Sequence, residues 1–490
     1  MRKRFTTILL ACSMLLLSAT GGFMAGCDKK GSDIEPGELP VYNSDKKFEV
    51  GMWVGISDKI VEYDDSGKKT GERPLTDAEF LAHYQEIADA GFTIAFPGYD
   101  VMLDGGAYNL KALEAAHKVG IRQMLGDDQL RQLLFNAKTR VEAGVVTRKE
   151  CVDEVKDVLK KYTESEYASA LCGFMIKDEP GADMFDMLSF AEGIFHEAAP
   201  ELMFYVNMFP VIADPYQLSG VAGSTVRYRD YLQRWFNKMQ DSYVSYDHYP
   251  LYGSGIDGTS FEKSFLYNMD IMQQLIADEG KDRELWTFLQ SISFGAKNRE
   301  LRSKADASMQ ALSAVAYGVD CIQWFCYTCP PPNDGATQFG NDALLNRNYE
   351  KTAAYDYVQA ANREVQALMP YLGNFDWKGV MLSKVYDDVE NFGFLEDSPN
   401  VITSDKTLTS FKSKEDAFAG VFEDKDGKRG YLAVNFTDPG KNISNTVTMT
   451  LSGFGGAIVV KNGETSTVRL KSGTLTLDLK AGEGALVIPY

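Results

Sequence analysis

Cysteine is scarce in this chain, with 7 residues among 490. Cys12 sits inside an N-terminal leader and Cys27 at its end, which leaves Cys151, Cys172, Cys321, Cys326 and Cys329. An odd, sparse set in a chain of this length argues against a disulfide framework. Cys326-Tyr-Thr-Cys329 has the spacing of a redox or zinc pair, but no second pair accompanies it, and of the 4 histidines only His248 falls near a cluster of strand ends. Zinc wants a fuller ligand set, so no metal and no other cofactor is expected. Positive charge is also short: 50 Lys and Arg against 69 Asp and Glu give a formal charge of -19. Nucleic acid and anionic lipid both require a positive surface, so neither is expected as a partner. Beyond the leader no apolar run is long enough to span a bilayer. No Gly-rich phosphate loop follows the first apolar run of the mature chain, which disfavours a nucleotide-binding doubly wound sheet.

What is present begins with the leader. Arg2, Lys3 and Arg4 precede the apolar run Ile8 to Leu17, and small residues lead to Met24-Ala25-Gly26-Cys27. Residues 1–26 read as a secretory signal. The final tetrapeptide resembles a bacterial lipobox, which makes Cys27 the expected site of lipidation and the membrane an expected partner. Residues 27–44, polar and rich in Gly, Pro and Lys, read as a tether lifting the rest of the chain off that membrane. The expected location is exported and lipid-anchored, at the outer membrane or cell surface.

Between Phe48 and Met369 apolar β-rich runs alternate with segments of helical period. The candidate strands are Phe48–Ile56, Phe92–Pro97, Ile121–Leu125, Cys172–Ile176, Met203–Met208, Tyr243–Tyr246, Leu285–Leu289 and Cys321–Phe325. The first helix opens on a capping box, Thr76-x-x-Glu79, and stops at Gly91; the second stops at Gly120. Eight such units over residues 45–372 predict a (β/α)8 barrel. From 373 to 490 the texture changes to short alternating runs between Gly, Asp and Asn turns, among them Gly430–Phe436, Val447–Leu451 and Thr474–Leu479. That pattern predicts an all-β sandwich that caps the barrel.

The most informative stretch is Ala170 to Pro180, an apolar run ending in Asp178, Glu179 and a proline. In a parallel barrel, residues just after each strand converge on one face. Collecting them gives Tyr99, Asp100, Asp127 and Asp128, then Asp178, Glu179, Asn207, Asp247, His248, Tyr249, Gln290, Trp324 and Tyr327. Acids, amides and aromatics without Lys or Arg clusters suit a neutral polyol, and a carbohydrate fits. Trp53 and Trp324 read as either barrel core or sugar platform. Asp127 and Asp128 read equally as helix caps or pocket acids. His248 reads as a residue that positions a neighbouring carboxylate, and Asn207 and Gln290 as amides for substrate hydroxyls. Segments Gly126–Glu150 and Met208–Tyr228 are expected to wall the pocket.

Four motifs together carry a resemblance: Lys177-Asp178-Glu179-Pro180, Asn207-Met-Phe-Pro210, Ser245-Tyr-Asp-His-Tyr-Pro250 and Trp286-Thr-Phe-Leu-Gln290. Residues 48–370 resemble barrel glycosidases with Glu at the end of strand four, in particular an exported group with a Lys/Arg-Asp-Glu-Pro motif. The resemblance implies hydrolysis of a glycosidic bond with Glu179 as general acid. Retaining members of that clan carry a nucleophilic Glu at the end of strand seven, where this chain has Gln290. Three routes stay open: inversion with Asp247 as base, ahead of Asp100 and Asp128; substrate assistance by a 2-acetamido group, with Asp178 orienting it; or Asp247 as nucleophile. Neighbours on a regular strand point to opposite faces, so the second route requires an irregular strand end before Pro180. The rivals are a glycan-binding lipoprotein on a barrel that has lost catalysis and a lyase or isomerase using the same acids.

Overall fold

The structure is a computed structural model that describes residues 34–64, 66–101, 106–252, 265–334, 337–383, 395 and 397–490. The leader, Cys27 and the first part of the tether lie outside the described residues. Eight parallel strands close into a barrel in chain order: β1 Glu49–Trp53, β2 Ile94–Ala95, β3 Arg122–Leu125, β4 Leu171–Asp178, β5 Met203–Met208, β6 Tyr243–Asp247, β7 Glu284–Gln290 and β8 Cys321–Phe325. Each falls on a run predicted from the sequence. The reason is the one that made the runs visible: strands covered on both faces must be apolar throughout.

The helix stops behave as read. Asp77–Asp89 opens on the reciprocal Thr76–Glu79 capping box, and Ala107–Val119 ends at Gly120 in the left-handed conformation with φ 76°. One expectation fails here. Neither residues 126–150 nor residues 209–228 line the cavity that holds Asp178 and Glu179; the first form a helical pair, Asp128–Glu142 followed by the start of Arg148–Thr163. The hairpin Lys59–Tyr63 with Lys69–Pro74, inserted after β1, was not legible as strands because almost every residue of its second arm is exposed and charged or small.

Barrel interior and helix layer form separate clusters. Phe96, Met124, Tyr205, Tyr243, Trp286 and Phe288 fill the bore, whereas Trp324, Phe174 and Tyr246 turn outward into the helices. The C-terminal segment pairs a six-stranded antiparallel sheet with a three-stranded one. Helix Lys304–Ala316 lies between barrel and sandwich and is buried from Asp306 to Ala316. Its small residues permit that double contact: Gly420 of the sandwich meets Ala316 so closely that a Cβ would fall 2.2 Å from the Ala316 carbonyl oxygen. Trp377 seals the seam by donating from its indole to Ala316 O at 3.0 Å and lying nearly parallel to Tyr317.

Strand β4 departs from regularity twice. Its register shifts against β3 between Gln123 and Met124, and against β5 between Met175 and Lys177. Each bulge adds a residue and changes which face the following side chains take. Gly173 sits between them, where a Cβ would fall 2.4 Å from Met203 O on β5. Gly173→Ala is therefore expected to cost about 1–3 kcal/mol of stability through overpacking against backbone. Chemical denaturation of the two proteins, with the same m-value, tests it.

Candidate active site

The bulges on β4 deliver its end to the barrel mouth in a non-standard conformation. Glu179 is a non-glycine residue at φ 45°, in the left-handed region. Its amide still bonds Asn207 O at 2.8 Å, so the strand is anchored to β5 while the side chain is redirected. Such a backbone costs on the order of 1 kcal/mol or more and persists only where the surroundings enforce it. The consequence is geometric: adjacent Asp178 and Glu179 both line one cavity of about 280 Å³ together with Asp247. The irregular strand end that substrate assistance requires is present.

Asn207 organises these acids. It is 2% exposed, and its Oδ1 accepts from Ser245 Oγ at 3.0 Å. That contact assigns the amide orientation, so Nδ2 faces the acids. One Nδ2 hydrogen goes to Asp247 Oδ1 at 2.9 Å and the other to Asp178 Oδ1 at 3.2 Å. Since the two N–H bonds diverge by about 120°, the accepting oxygens are roughly 5 Å apart. Beneath Asn207, Ser245 accepts from Gln323 Nε2 at 3.0 Å and lies 2.8 Å from Tyr205 Oη. The bore of the barrel thus carries a polar chain from β8 through β6 and β5 to the acid pair.

Three carboxyls in one half-buried site cannot all ionise easily. Burial, then the charges of Asp247 and Asp178, push Glu179 far above the usual carboxylate range, and it also lies within hydrogen-bonding reach of Asp247. Burial and the Asp178 charge raise Asp247, while the Asn207 bond opposes the rise. Burial raises Asp178 too, against the pull of Asn207 and Lys177. Glu179 is the group that keeps its proton at neutral pH, and Asp178 and Asp247 are the groups that Asn207 helps to ionise.

An aromatic collar surrounds the acids. Trp53, Tyr99, Tyr249, Phe294, Phe325 and Phe339 line the same cavity. Tyr249 packs on Phe325 with ring centres 5.3 Å apart, and Phe294 meets Tyr249 edge-on at 5.3 Å. Arg347 fixes the outer wall by donating to the carbonyls of Pro330, Phe339 and Gly340 at 3.0, 2.8 and 2.7 Å.

The sequence-predicted residues divide accordingly. Trp53, Tyr99, Asp178, Glu179, Asn207, Asp247 and Tyr249 share the cavity. Asp100 does not; it bonds Ser57 and pairs with Lys59 in a neighbouring recess of about 50 Å³, to which Tyr99 also contributes. Asp128 is spent on Arg131 and Gln132 in the first turn of its helix, and Asp127 is that helix's N-cap. Trp324 is wholly buried in the helix layer, donating to Asn362 at 2.9 Å. Tyr327 is likewise buried, edge-on to Phe92. Strand alternation explains the miss: Phe325, one residue from Trp324, takes the pocket face.

Gln290 is fully buried and its side chain is used up on the loop: it accepts from Leu251 N at 2.9 Å and Asn298 Nδ2 at 3.2 Å and donates to Ile292 O and Arg299 O at 3.1 and 2.8 Å. It locks the loop after β7 rather than facing substrate. His248 does not position a carboxylate. Its ring is fully buried against Phe265, neither nitrogen has a partner among the described residues, and burial lowers its pKa to about 3. Sequence reasoning missed the aromatic lining residues Phe294, Phe325 and Phe339, together with Val54, Pro330 and Thr337; a signal was available only for Phe325, at the end of β8.

No protein-family model matches the chain, and no curated protein sequence matches it. Among solved structures it is similar to a β-galactosidase from the psychrophilic Marinomonas ef1, at 9% identity and TM-score 0.44 over 66% of this chain and 60% of that one. It is also similar to an Anoxybacillus α-amylase, at 13% identity and TM-score 0.48 over 90% of this chain and 97% of that one. A third is a 4-O-α-L-rhamnosyl-β-D-glucuronidase from Fusarium oxysporum, at 12% identity and TM-score 0.41 over 93% of this chain and 99% of that one. The first of these is thus spanned over less than two thirds of its own length.

The raised pKa of Glu179 has a stability consequence. The ordinary value is 4.5 and the folded value lies far above it, so the penalty is absent below pH ~4.5 and grows as pH rises through the unfolded-state pKa. Glu179→Gln is expected to stabilise the fold by about 0.5–2 kcal/mol at pH 7, with the gain shrinking toward pH 4. Melting temperatures of both proteins across that range check it; a loss of stability at pH 7 would contradict the assignment.

Proposed function

We propose that the chain is a glycoside hydrolase in which Glu179 is the general acid and Asp178 assists from the adjacent position. The observation that carries this reading is the left-handed backbone at Glu179, which turns two neighbouring carboxyls into one aromatic-walled cavity. A proton held by Glu179 at neutral pH suits donation to a leaving glycosidic oxygen, and an aromatic collar suits the C–H face of a sugar ring. Carbohydrate is the proposed partner.

Of the three routes, substrate assistance fits best. An inverting pair needs carboxyls ~6.5–9.5 Å apart to admit a water, whereas Glu179 lies within hydrogen-bonding reach of Asp247. A retaining pair with an acid on β7 has no candidate, because Gln290 is an amide committed to the loop. Asp178, held by Asn207, orients a 2-acetamido group whose oxygen attacks the anomeric carbon while Glu179 protonates the leaving oxygen. Asp247 then serves chiefly to keep Glu179 protonated. A second reading, a glycan-binding protein without turnover, is favoured only by Gln290 at the strand-seven position.

The test is product release from a panel of oligosaccharides and aryl glycosides, with and without 2-acetamido groups. Wild type should release product, and Glu179→Gln and Asp178→Asn should each lose at least ~100-fold. The rate should fall on the alkaline side as Glu179 loses its raised proton. Asp247→Asn should retain turnover but move that alkaline limb to lower pH, because it removes the charge that most raises Glu179. Inactive Asp247→Asn with active Asp178→Asn would restore Asp247 as base or nucleophile. Sugar binding without product from any substrate would favour the second reading.

We also propose that the chain is exported and held on a membrane, at the outer membrane or cell surface, by lipid on Cys27. Cys27→Ala expressed in a bacterial host should move the protein from the membrane to the soluble fraction and abolish labelling by radioactive palmitate. Retained labelling would refute the anchor.

A further inference from the structure

At the opposite end of the barrel a second cluster of titratable side chains has no part in the proposed chemistry. Glu192 and His196 stand one turn apart on helix Phe185–Ala198, and Asp241 lies two residues before β6. One ligand atom from each falls within 4.8 Å of the other two. Asp241 begins the approach to the strand that ends in Asp247, so the cluster is roughly 20 Å from the acid pocket at ~3.3 Å per residue.

The cluster is built rather than superficial. Glu192 is 2% and Asp241 5% exposed. Glu192 is oriented by the amide of Gln240, which donates to Oε1 at 2.7 Å. Asp241 Oδ1 contacts His196 Nε2 at 2.8 Å, whereas among the described residues Asp241 Oδ2 has no N–H or hydroxyl donor, which leaves a proton on Glu192 as the one group that can serve it. The nearest strong cation does not supply one. Arg283 bonds Glu279 through Nε and Nη2 at 2.9 and 2.8 Å and gives its remaining contacts to the carbonyls of Asp241 and Met239. Two buried carboxyls therefore face each other across a shared proton, since burial and the Asp241 charge push Glu192 up to about 8, while the neighbouring Arg283 guanidinium is committed to Glu279 and to backbone carbonyls.

We propose that Glu192, His196 and Asp241 bind one divalent ion of the zinc class. Two carboxylates and a neutral imidazole balance a 2+ charge in formal terms, which removes the cost of burying like charges. Imidazole nitrogen together with carboxylate oxygen is a donor set that suits zinc, whereas calcium and magnesium take oxygen ligands. Bonds of ~2.0–2.2 Å from three atoms already this close need only side-chain rotation. His196, with 31% of its side chain exposed, leaves the open side for entry and for a water as fourth ligand. The expectation of no metal rested on the lone cysteine pair and on His248 as the only histidine near a site, whereas this set contains no cysteine and uses His196. Because the bottom of a barrel contributes stability rather than chemistry, the ion acts as a clamp between helix Phe185–Ala198 and the root of β6.

The test uses the purified chain stripped with chelator and then titrated with Zn²⁺ by calorimetry, with melting temperature as a second readout. One Zn²⁺ should bind per chain and raise the melting temperature, and Co²⁺ in its place should give the visible absorption of a four- or five-coordinate site. His196→Gln and Glu192→Gln should each weaken Zn²⁺ at least tenfold, while His117→Gln, at an exposed histidine elsewhere, should leave it unchanged. Should either variant fail to fold, the wild-type stoichiometry and Co²⁺ spectrum decide alone. Absence of 1:1 binding to wild type, a purely octahedral Co²⁺ spectrum, or undiminished binding by both folded variants would overturn the proposal. None of these readouts depends on hydrolysis.

Discussion

One amide nitrogen, Nδ2 of Asn207, gives one hydrogen to Asp178 and the other to Asp247. Everything else at the barrel mouth is arranged around that fork. It joins the ends of three consecutive strands, since Asp178 closes β4, Asn207 lies near the end of β5 and Asp247 closes β6. Burial raises both of these carboxyls, and the hydrogen bond that Asn207 gives to each charged form opposes that rise. The third, Glu179, receives none from Asn207 and faces both charges, so the proton stays there. The separation of roles among three chemically similar groups thus follows from which of them the amide reaches.

The fork works only if its acceptor side is fixed, and the barrel interior fixes it. Ser245 bonds Asn207 Oδ1, Gln323 bonds Ser245, and Tyr205 bonds Gln323. These residues sit on β5, β6 and β8 with side chains in the bore, where a free polar group would be costly and a satisfied network is rigid. Strain at Glu179 and crowding of acids are both destabilising, so the surrounding scaffold must over-determine the site. Helix Lys304–Ala316, buried between barrel and sandwich, contributes to that rigidity, because Gln310 bonds both Gln290 N and Gln290 O at the end of β7.

The eight barrel strands were legible because an apolar run bounded by turn residues is a direct consequence of burial on both faces. Asp178, Glu179, Asn207 and Asp247 were legible because parallel strands send their C-terminal ends to one place. What a sequence does not display is side-chain direction once regularity is lost. Trp324 and Phe325 differ by one position and by the whole thickness of the strand, and the larger aromatic took the helix side. Neither bulge of β4 leaves a mark in the sequence beyond Gly173, yet the second sets where Asp178 points. Gln290 ends an apolar strand at the rim, as predicted, but the Leu251 amide and the Arg299 carbonyl claimed its side chain. Asp100 and Asp128 were misplaced for the same reason: local partners, Lys59 and Arg131, outcompeted the cavity.

The commitment of Gln290 bears on how the proposed chemistry could run at all. A glutamate there would bring a charge into a fully buried position whose partners are the Leu251 amide, the Asn298 side-chain amide and two backbone carbonyls. The two carbonyls need donors, which a carboxylate lacks, so the glutamine is demanded by the loop and not merely tolerated by it. That loop carries Arg299, whose guanidinium is locked on Asp306 at 2.9 and 2.7 Å in a pair that is almost wholly buried. It also carries Phe294, one wall of the cavity. The fold therefore uses the end of β7 to hold a wall in place, and any nucleophile has to come from β4, from β6 or from the substrate itself. With Asp247 drawn toward Glu179, and Asp178 turned inward by the bulged strand, the substrate's own acetamido oxygen is the attacker that the remaining geometry accommodates.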